Sequence, residues 1–341
     1  MTVAFFTHET FDQHTQRGHP EHAGRLQAVR ELLKSSGIWD DFTHLDAAPA
    51  TDAQILGVHT PRYLEILKAT SQPTGRDNFG LDTYITRQSH DLARLAAGGV
   101  IAVVESVAMK QTQTGIAAVR PPGHHATPAM GMGFCLLSSV AIAAHYAAHT
   151  LGLERVAIVD FDVHHGNGTQ DCLYEDARTL FISSHQSPLY PGTGAFRERG
   201  NGKGENLTLN LPVPANTGDT ALQTLYTDVV IPMLTDYNPQ LIIVSAGFDA
   251  HWIDPLATLS VSLSGFHGLV RQLIETANHL CDGKIVFVME GGYDLPALSH
   301  GWLNIAYALL GKDLFSDPHG KASNDLPLDK SLLERYLSIL P

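Results

Sequence analysis

The stretch Val156-Ala-Ile-Val-Asp-Phe-Asp-Val-His-His-Gly-Asn-Gly168 limits what this chain can fold into more than any other. An apolar, β-branched run leads directly into Asp160, Asp162, His164 and His165, and then into glycines. Such a run reads as a strand buried on both faces, as in a parallel sheet. Its polar cluster then falls at the carboxyl end of the strand, where open α/β sheets bind their ligands. Asp162 and His164 are two residues apart, so extended backbone turns both side chains to one face. A carboxylate and an imidazole there are a pair of metal ligands or, more plainly, a capped strand end beside a core histidine. Motifs elsewhere in the chain decide between the two.

The same strand pattern recurs over residues 2–7, 115–119, 179–184, 206–213, 241–246 and 284–289. Helical patterns separate these runs. The first is opened by His19-Pro-Glu, with Pro20 suited to a first turn, carries an apolar stripe of Leu26, Val29, Leu32 and Leu33, and is closed by Gly37. Arg25 lies near that stripe, as a surface residue or a buried partner. Further helices are predicted over 60–69, 88–109, 133–150, 222–237, 264–280 and 296–310. Residues 71–86, rich in Pro, Gly, Asp and Asn, read as a long loop, and long loops in compact domains are often binding loops. Alternation of this kind predicts a three-layer α/β/α domain with a central parallel sheet. The domain spans 1–312, and 313–341 form an extension with a short helix packed on it. Polar clusters follow four of the strands: His124-His125, Asp162 with His164, Asp249, and Tyr293. In a parallel sheet all four share one edge.

A net charge of −13 disfavours nucleic acid as a direct ligand and favours cationic partners. No apolar run approaches the ~20 residues of a membrane span, and the start of the chain lacks the features of a secretory signal. Cys135, Cys172 and Cys281 are widely spaced, which argues against a disulfide framework and a thiolate zinc site. These features lead us to expect a cytoplasmic, bacterial protein.

Asp162, His164 and Asp249 make a three-ligand nitrogen-and-oxygen site. Catalytic zinc keeps three protein ligands and an open position, and two carboxylates also tolerate Fe2+, Mn2+ or Co2+. His124 and His125 follow Pro-Pro-Gly, so a tight turn can present both imidazoles to one cavity as base and acid. Asp160 and Asn167 are candidate acceptors to orient them. Tyr293, in a Gly-Gly-Tyr turn, can aim its phenol at a developing oxyanion. Gly133-Phe134 and Tyr190 can wall a narrow channel that suits an aliphatic tether ending in an amide. Taken singly, the histidine pair, the tyrosine and the aromatics each have an ordinary structural reading.

Together these residues resemble a known family. Arg120-Pro-Pro-Gly-His-His125, Gly133-Phe-Cys135, Asp160-Phe-Asp-Val-His-His-Gly-Asn-Gly-Thr-Gln170, Tyr190-Pro-Gly-Thr-Gly194, Gly247-Phe-Asp249 with Asp254-Pro255, and Glu290-Gly-Gly-Tyr293 look like the zinc-dependent histone deacetylases. That family includes histone deacetylase-like and acetylpolyamine amidohydrolases, and Asn167 makes the chain more similar to its class II branch. The resemblance implies the arginase/deacetylase fold, with about eight parallel strands. It implies zinc on Asp162, His164 and Asp249, His125 as general base with Asn167 as its partner, His124 paired with Asp160, and Tyr293 polarising the acyl carbonyl. Phe134 and Tyr190 would flank the substrate chain. A structural potassium ion would take Asp160, Ser183, and the carbonyls of Asp162, His164 and Ser184. Ser138-Ser139 stand where the family often has two asparagines.

The resemblance leaves two substrates. One polyamine-specific branch places an acidic gatekeeper just after Asp-Pro; Leu256 stands there, which favours acyl-lysine in a peptide or protein. Other polyamine-active members act through a loop insertion and dimerisation, and a homo-oligomer is open to this chain. Asp77 and Asp82, in the long loop, can bind a substrate backbone or an ammonium.

Overall fold

The computed structural model describes residues 2–72, 78–80 and 82–340. Among them are ten strands: β1 (Val3–Phe6), β2 (Thr43–His44), β3 (Asn78–Phe79), β4 (Thr83–Tyr84), β5 (Thr114–Ala117), β6 (Val156–Asp160), β7 (Thr179–Gln186), β8 (Thr208–Val213), β9 (Leu241–Ala246) and β10 (Ile285–Met289). Eight form one sheet in the order β2-β1-β5-β10-β9-β6-β7-β8, and every pairing in it is parallel. The central strands β5, β10, β9 and β6 are buried at every position. This is the physical origin of their unbroken apolar runs, since helices cover both faces.

The helix Ser89–Ala108 packs on Ser139–His149. Gly24–Ser35 packs on Leu295–Leu309, which in turn packs on Leu263–Leu280. The predicted helix over 222–237 is Asp219–Leu225 and Ile231–Tyr237 joined by a π-helical turn, Tyr226–Val230. Asn238, in the left-handed region, closes it. Beyond the last long helix, Lys330–Leu337 docks through Tyr336, which is buried and donates its hydroxyl to the Pro212 carbonyl.

Three expectations need correction. The first helix starts at Gly24, not at Pro20. His19 accepts the Glu21 N–H at Nδ1 (3.1 Å) and donates Nε2–H to the Asp82 carbonyl (3.0 Å), holding this segment in a turn, and the Glu21 carboxylate is buried against Arg25 and Arg120. The alanine-rich stretch 133–150 is helical only over Ser139–His149. Gly133 and Phe134 have φ of 54° and 68°, outside the helical region, and Met132 and Cys135 exchange two backbone hydrogen bonds. Finally, the long loop contains the antiparallel β3–β4 pair, and the exposed two-residue edge strand β2 carries no apolar signal to reveal it.

Candidate metal centre and active site

The four polar clusters leave β5, β6, β9 and β10, and these are the four contiguous strands at the centre of the sheet. Parallel pairing brings their carboxyl ends together. There, one donor atom each from Asp162, His164 and Asp249 lies within 4.8 Å of the others. His164 Nδ1 is 3.1 Å from Asp162 Oδ1 and 3.2 Å from Asp249 Oδ2. Backbone amides fix the carboxylates: Gly291 N–H donates to Asp162 Oδ2 (2.8 Å) and Val163 N–H to Asp249 Oδ1 (3.0 Å). Glycine at 291 leaves room for both carboxylates, because a Cβ there would lie 2.0 Å from Asp249 Oδ2 and 2.5 Å from Asp162 Oδ2 and would displace them. Two carboxylates and one imidazole, buried and convergent, have the donor chemistry of a divalent transition-metal site. A second group, His124, Cys135 and Glu290, is equally close-set. Its donors are already engaged: Glu290 Oε2 accepts the N–H of Gly123 and His124, and the Cys135 thiol donates to the Gly133 carbonyl.

Both histidines of the Pro-Pro-Gly-His-His turn are buried beside this centre, with ring centroids 4.0 Å apart. His124 Nδ1 is 3.1 Å from Asp160 Oδ2, and His125 Nδ1 is 2.7 Å from Asn167 Oδ1. Asn167 in turn donates Nδ2–H to the Met132 sulfur at 3.5 Å, which orients its oxygen toward His125. The two rings titrate in opposite directions. Burial disfavours charge on His124, but Asp162 and Asp160 outweigh it and raise its pKa well above the imidazole range. Burial, with positive His124 and His164 alongside, pushes His125 well below that range. Burial likewise opposes the His164 cation, yet its bonds to Asp162 and Asp249 lift it to about 10. Among the carboxyls, burial pushes Asp160 up to about 6 and raises Asp249, while His124 and His164 pull Asp162 down against burial.

A cavity of about 220 Å3 opens onto these groups, lined by Asp82, His125, Gly133, Phe134, His164, Tyr190, Leu256 and Tyr293. Tyr190 stands edge-on to His125 at 5.1 Å, and Phe134 edge-on to Tyr293 at 5.8 Å. The Phe134 N–H is held by the Thr83 hydroxyl (2.9 Å), which itself donates to Asp82 Oδ1 (2.9 Å). Burial raises the Tyr293 phenol well above its ordinary value, so it stays protonated. Asp160 pairs with Ser183 in the β6–β7 ladder. Ser183 Oγ is 2.9 Å from His185 Nδ1, and Ser184 Oγ is 3.1 Å from the Tyr226 hydroxyl. Ser138 and Ser139 are buried at the start of their helix, where Ser138 N–H donates to His59 Nε2. Asp77 lies outside the described residues.

The supporting network behind Tyr293 went unread in the sequence. Arg25 is fully buried, donates to the carbonyls of Gly292 (2.7 Å) and Glu290 (2.5 Å), and lies 4.9 Å over the Tyr293 ring. Glu21 joins it to Arg120, whose Nη2 also reaches the His14 carbonyl (2.7 Å). The only signal for this network was an arginine beside an apolar stripe.

Residues 19–309 match the histone deacetylase domain family. A "Probable deacetylase" of Archaeoglobus fulgidus is 40% identical over 318 residues, 92% of this chain and 88% of that protein. A "Histone deacetylase-like amidohydrolase" of Pseudomonas aeruginosa is 37% identical over 277 residues, 81% of this chain and 73% of that protein. The crystal structure of the HDA15 HD domain superposes with a TM-score of 0.89 at 33% identity, covering 99% of this chain and 93% of that one. The eight-stranded sheet with its flanking helices is therefore the arginase/deacetylase fold. With the domain match spanning nearly the whole chain and four polar clusters gathered at one sheet edge, this protein belongs to the histone deacetylase family.

Proposed function

We propose that this chain hydrolyses the side-chain amide of acetyl-lysine in peptides or proteins, releasing acetate and the free amine. The narrow cavity carries the reading. Its aromatic walls, Phe134 and Tyr190, suit an aliphatic tether, and it reaches His125, His164 and Tyr293. The apolar Leu256 on the same lining favours a lysine chain over a free polyamine.

Asp162, His164 and Asp249 are the residues to hold a divalent ion, with zinc the best match to a three-ligand site and Fe2+, Mn2+ or Co2+ compatible. When bound, such an ion polarises the acyl carbonyl and acidifies the attacking water toward a pKa of roughly 7. His125 has the qualities of a base: it is neutral, and with Nδ1–H donated to Asn167 its Nε2 lone pair is free to take the water proton. His124, kept cationic by its carboxylates, supplies positive charge and a proton for the departing amine. The Tyr293 O–H donates to the carbonyl oxygen as negative charge gathers there. A structural potassium ion on Asp160, Ser183 and the carbonyls of Asp162, His164 and Ser184 would tie β6 to β7 beneath this centre.

A second reading, acetylpolyamine hydrolysis, is favoured by one observation: the Asp82 carboxylate also lines the cavity and would attract an ammonium. The deciding test is turnover, by metal-loaded protein, of an acetyl-lysine peptide, longer acyl-lysine peptides, and acetylated putrescine and spermidine, each with a chelator control. Peptide turnover well above polyamine turnover supports the first reading, and the reverse order supports the second. No chelator-sensitive turnover of any substrate overturns both. Tyr293→Phe should fold normally and lose roughly 10²-fold in kcat; unchanged turnover would make Tyr293 structural.

A further inference from the structure

Residues 315–320 lie beyond the matched domain, which ends at 309, yet they bond to both loops that carry Tyr293 and Asp249. Ser316 is fastened to the helix Leu295–Leu309. Its N–H donates to Asn304 Oδ1 (2.8 Å), its carbonyl accepts from Asn304 Nδ2 (2.8 Å), and its hydroxyl is 2.7 Å from His300 Nδ1. Asn304 is buried, so its amide is committed to this clamp. Asp317 Oδ1 then accepts the N–H of His319 and of Gly320, both at 2.9 Å, in an Asx-type turn.

That turn aims two groups in different directions. His319 Nε2 meets Asp294 Oδ1 at 2.9 Å, and the Gly320 carbonyl accepts the Trp252 indole N–H at 3.0 Å. Asp294 directly follows Tyr293, and the same oxygen caps the next helix through Ala297 N–H (2.9 Å). Trp252 lies in the loop between Asp249 and Leu256. Asp254, in that same loop, closes the circuit from within: its Oδ2 accepts the N–H of Tyr293 (2.7 Å) and of Asp294 (3.3 Å). Each loop is thus bonded to the other and to the segment outside the domain.

We propose that residues 316–320 are a strap that positions Tyr293, with His319 and Gly320 as its two anchors. The proposal rests on the reading above, in which the Tyr293 hydroxyl faces the acyl carbonyl. The chemistry makes such a strap worth having. A hydrogen-bond donor accelerates the reaction only where the oxyanion forms, and a displacement of about 1 Å costs on the order of 10²-fold. Two glycines, Gly291 and Gly292, precede Tyr293 and bring no side chain to pack the turn in place. Arg25 restrains the turn on one side, and the strap restrains its continuation on the other.

The test uses the full chain with two point variants, because the tail also buries Tyr336 and its deletion would confound folding with positioning. His319→Ala removes one anchor, and Trp252→Phe removes the indole N–H of the other while keeping an aromatic, though smaller, ring. Each should lower kcat on an acetyl-lysine peptide by about 10-fold with KM within about twofold, the pattern of an interaction made in the transition state. His319→Gln, which keeps a donor of similar reach, should restore most of the rate. In a Tyr293→Phe background, His319→Ala should cost nothing further. Independently of activity, the backbone amides of Tyr293 and Asp294 in metal-free His319→Ala should exchange hydrogen faster, while those of Lys330–Leu337 stay unchanged. Wild-type kcat in both single variants overturns the strap, and so does an equal loss with and without the Tyr293 hydroxyl, or unaltered exchange at Tyr293 and Asp294. If Tyr293→Phe is itself fully active, the functional reading fails, and the exchange measurement alone decides whether the strap holds the turn.

Discussion

Glu21 sits, fully buried, between two fully buried arginines, and replacing it by glutamine should cost the fold more than any surface charge could. Its carboxylate takes Arg120 Nε at 2.5 Å and Nη2 at 2.8 Å, Arg25 Nη1 at 3.3 Å, and the Tyr84 hydroxyl at 3.1 Å. Glu21→Gln keeps the shape and leaves two guanidinium groups without a counter-charge. Breaking a buried pair in this way costs about 3–5 kcal/mol. The titration of Glu21 gives a second figure. Burial alone would raise its pKa, but Arg120 first, then His14 and Arg25, bring it from 4.5 down to about 2. At about 1.4 kcal/mol per pH unit that displacement is worth about 3 kcal/mol. The folded chain holds this proton less tightly than the unfolded one. The contribution is therefore complete above pH about 4.5 and is lost as pH falls toward 2. Urea unfolding of wild type and Glu21→Gln, at matched metal content and followed by circular dichroism from pH 7 to pH 3, measures both effects. We expect the variant to be less stable by about 3–5 kcal/mol at pH 7, with the gap closing in acid. A gap under about 1 kcal/mol at pH 7, or one independent of pH, would refute the reasoning.

Two further outcomes follow from buried groups near the site. His59 donates Nδ1–H to the Thr127 carbonyl (3.0 Å) and accepts Ser138 N–H at Nε2 (3.0 Å), an arrangement open only to the neutral ring. Burial lowers its pKa from 6.5 to about 4, so its share of stability is full above pH 6.5 and falls away toward pH 4, by up to about 3 kcal/mol. His59→Gln should flatten the stability profile in that window, and parallel wild-type and variant curves would count against it. Gly291→Ala puts a methyl group 2.0 Å from Asp249 Oδ2. The variant should retain its circular dichroism yet hold divalent metal at least about 10-fold more weakly in a competition titration with a chelator; undiminished affinity would show that the turn yields without disturbing the ligands.

The parts of this molecule legible in its sequence share one property: each is written in consecutive residues. The strand Val156–Asp160 announces itself because burial on both faces demands an unbroken apolar run, and Asp162 and His164 follow it within one turn of chain. Once β5, β6, β9 and β10 are read as parallel strands, their trailing polar residues must meet at one edge, although their central, contiguous order in the sheet is not written in any one of them. What escaped is encoded across long separations. Arg25 reaches the Gly292 carbonyl, 267 positions away, and its local context is that of any amphipathic helix. Glu21 falls in a segment whose Pro20 mimics a helix start, and only the approach of Arg120, 99 positions on, turns it into a buried counter-charge. The helical reading of 133–150 failed for a related reason. Alanine-rich composition speaks for local propensity, whereas the positive φ of Gly133 and Phe134 belongs to a turn whose Phe134 N–H is bonded to Thr83 and whose Gly133 lies against the His125 ring, both from other loops. The candidate site residues are thus declared locally, and the groups that hold them are contributed from elsewhere in the chain. A substitution in the second class, at Glu21 or His319, should therefore alter the proposed catalysis while leaving Asp162, His164, Asp249 and every recognisable motif in place.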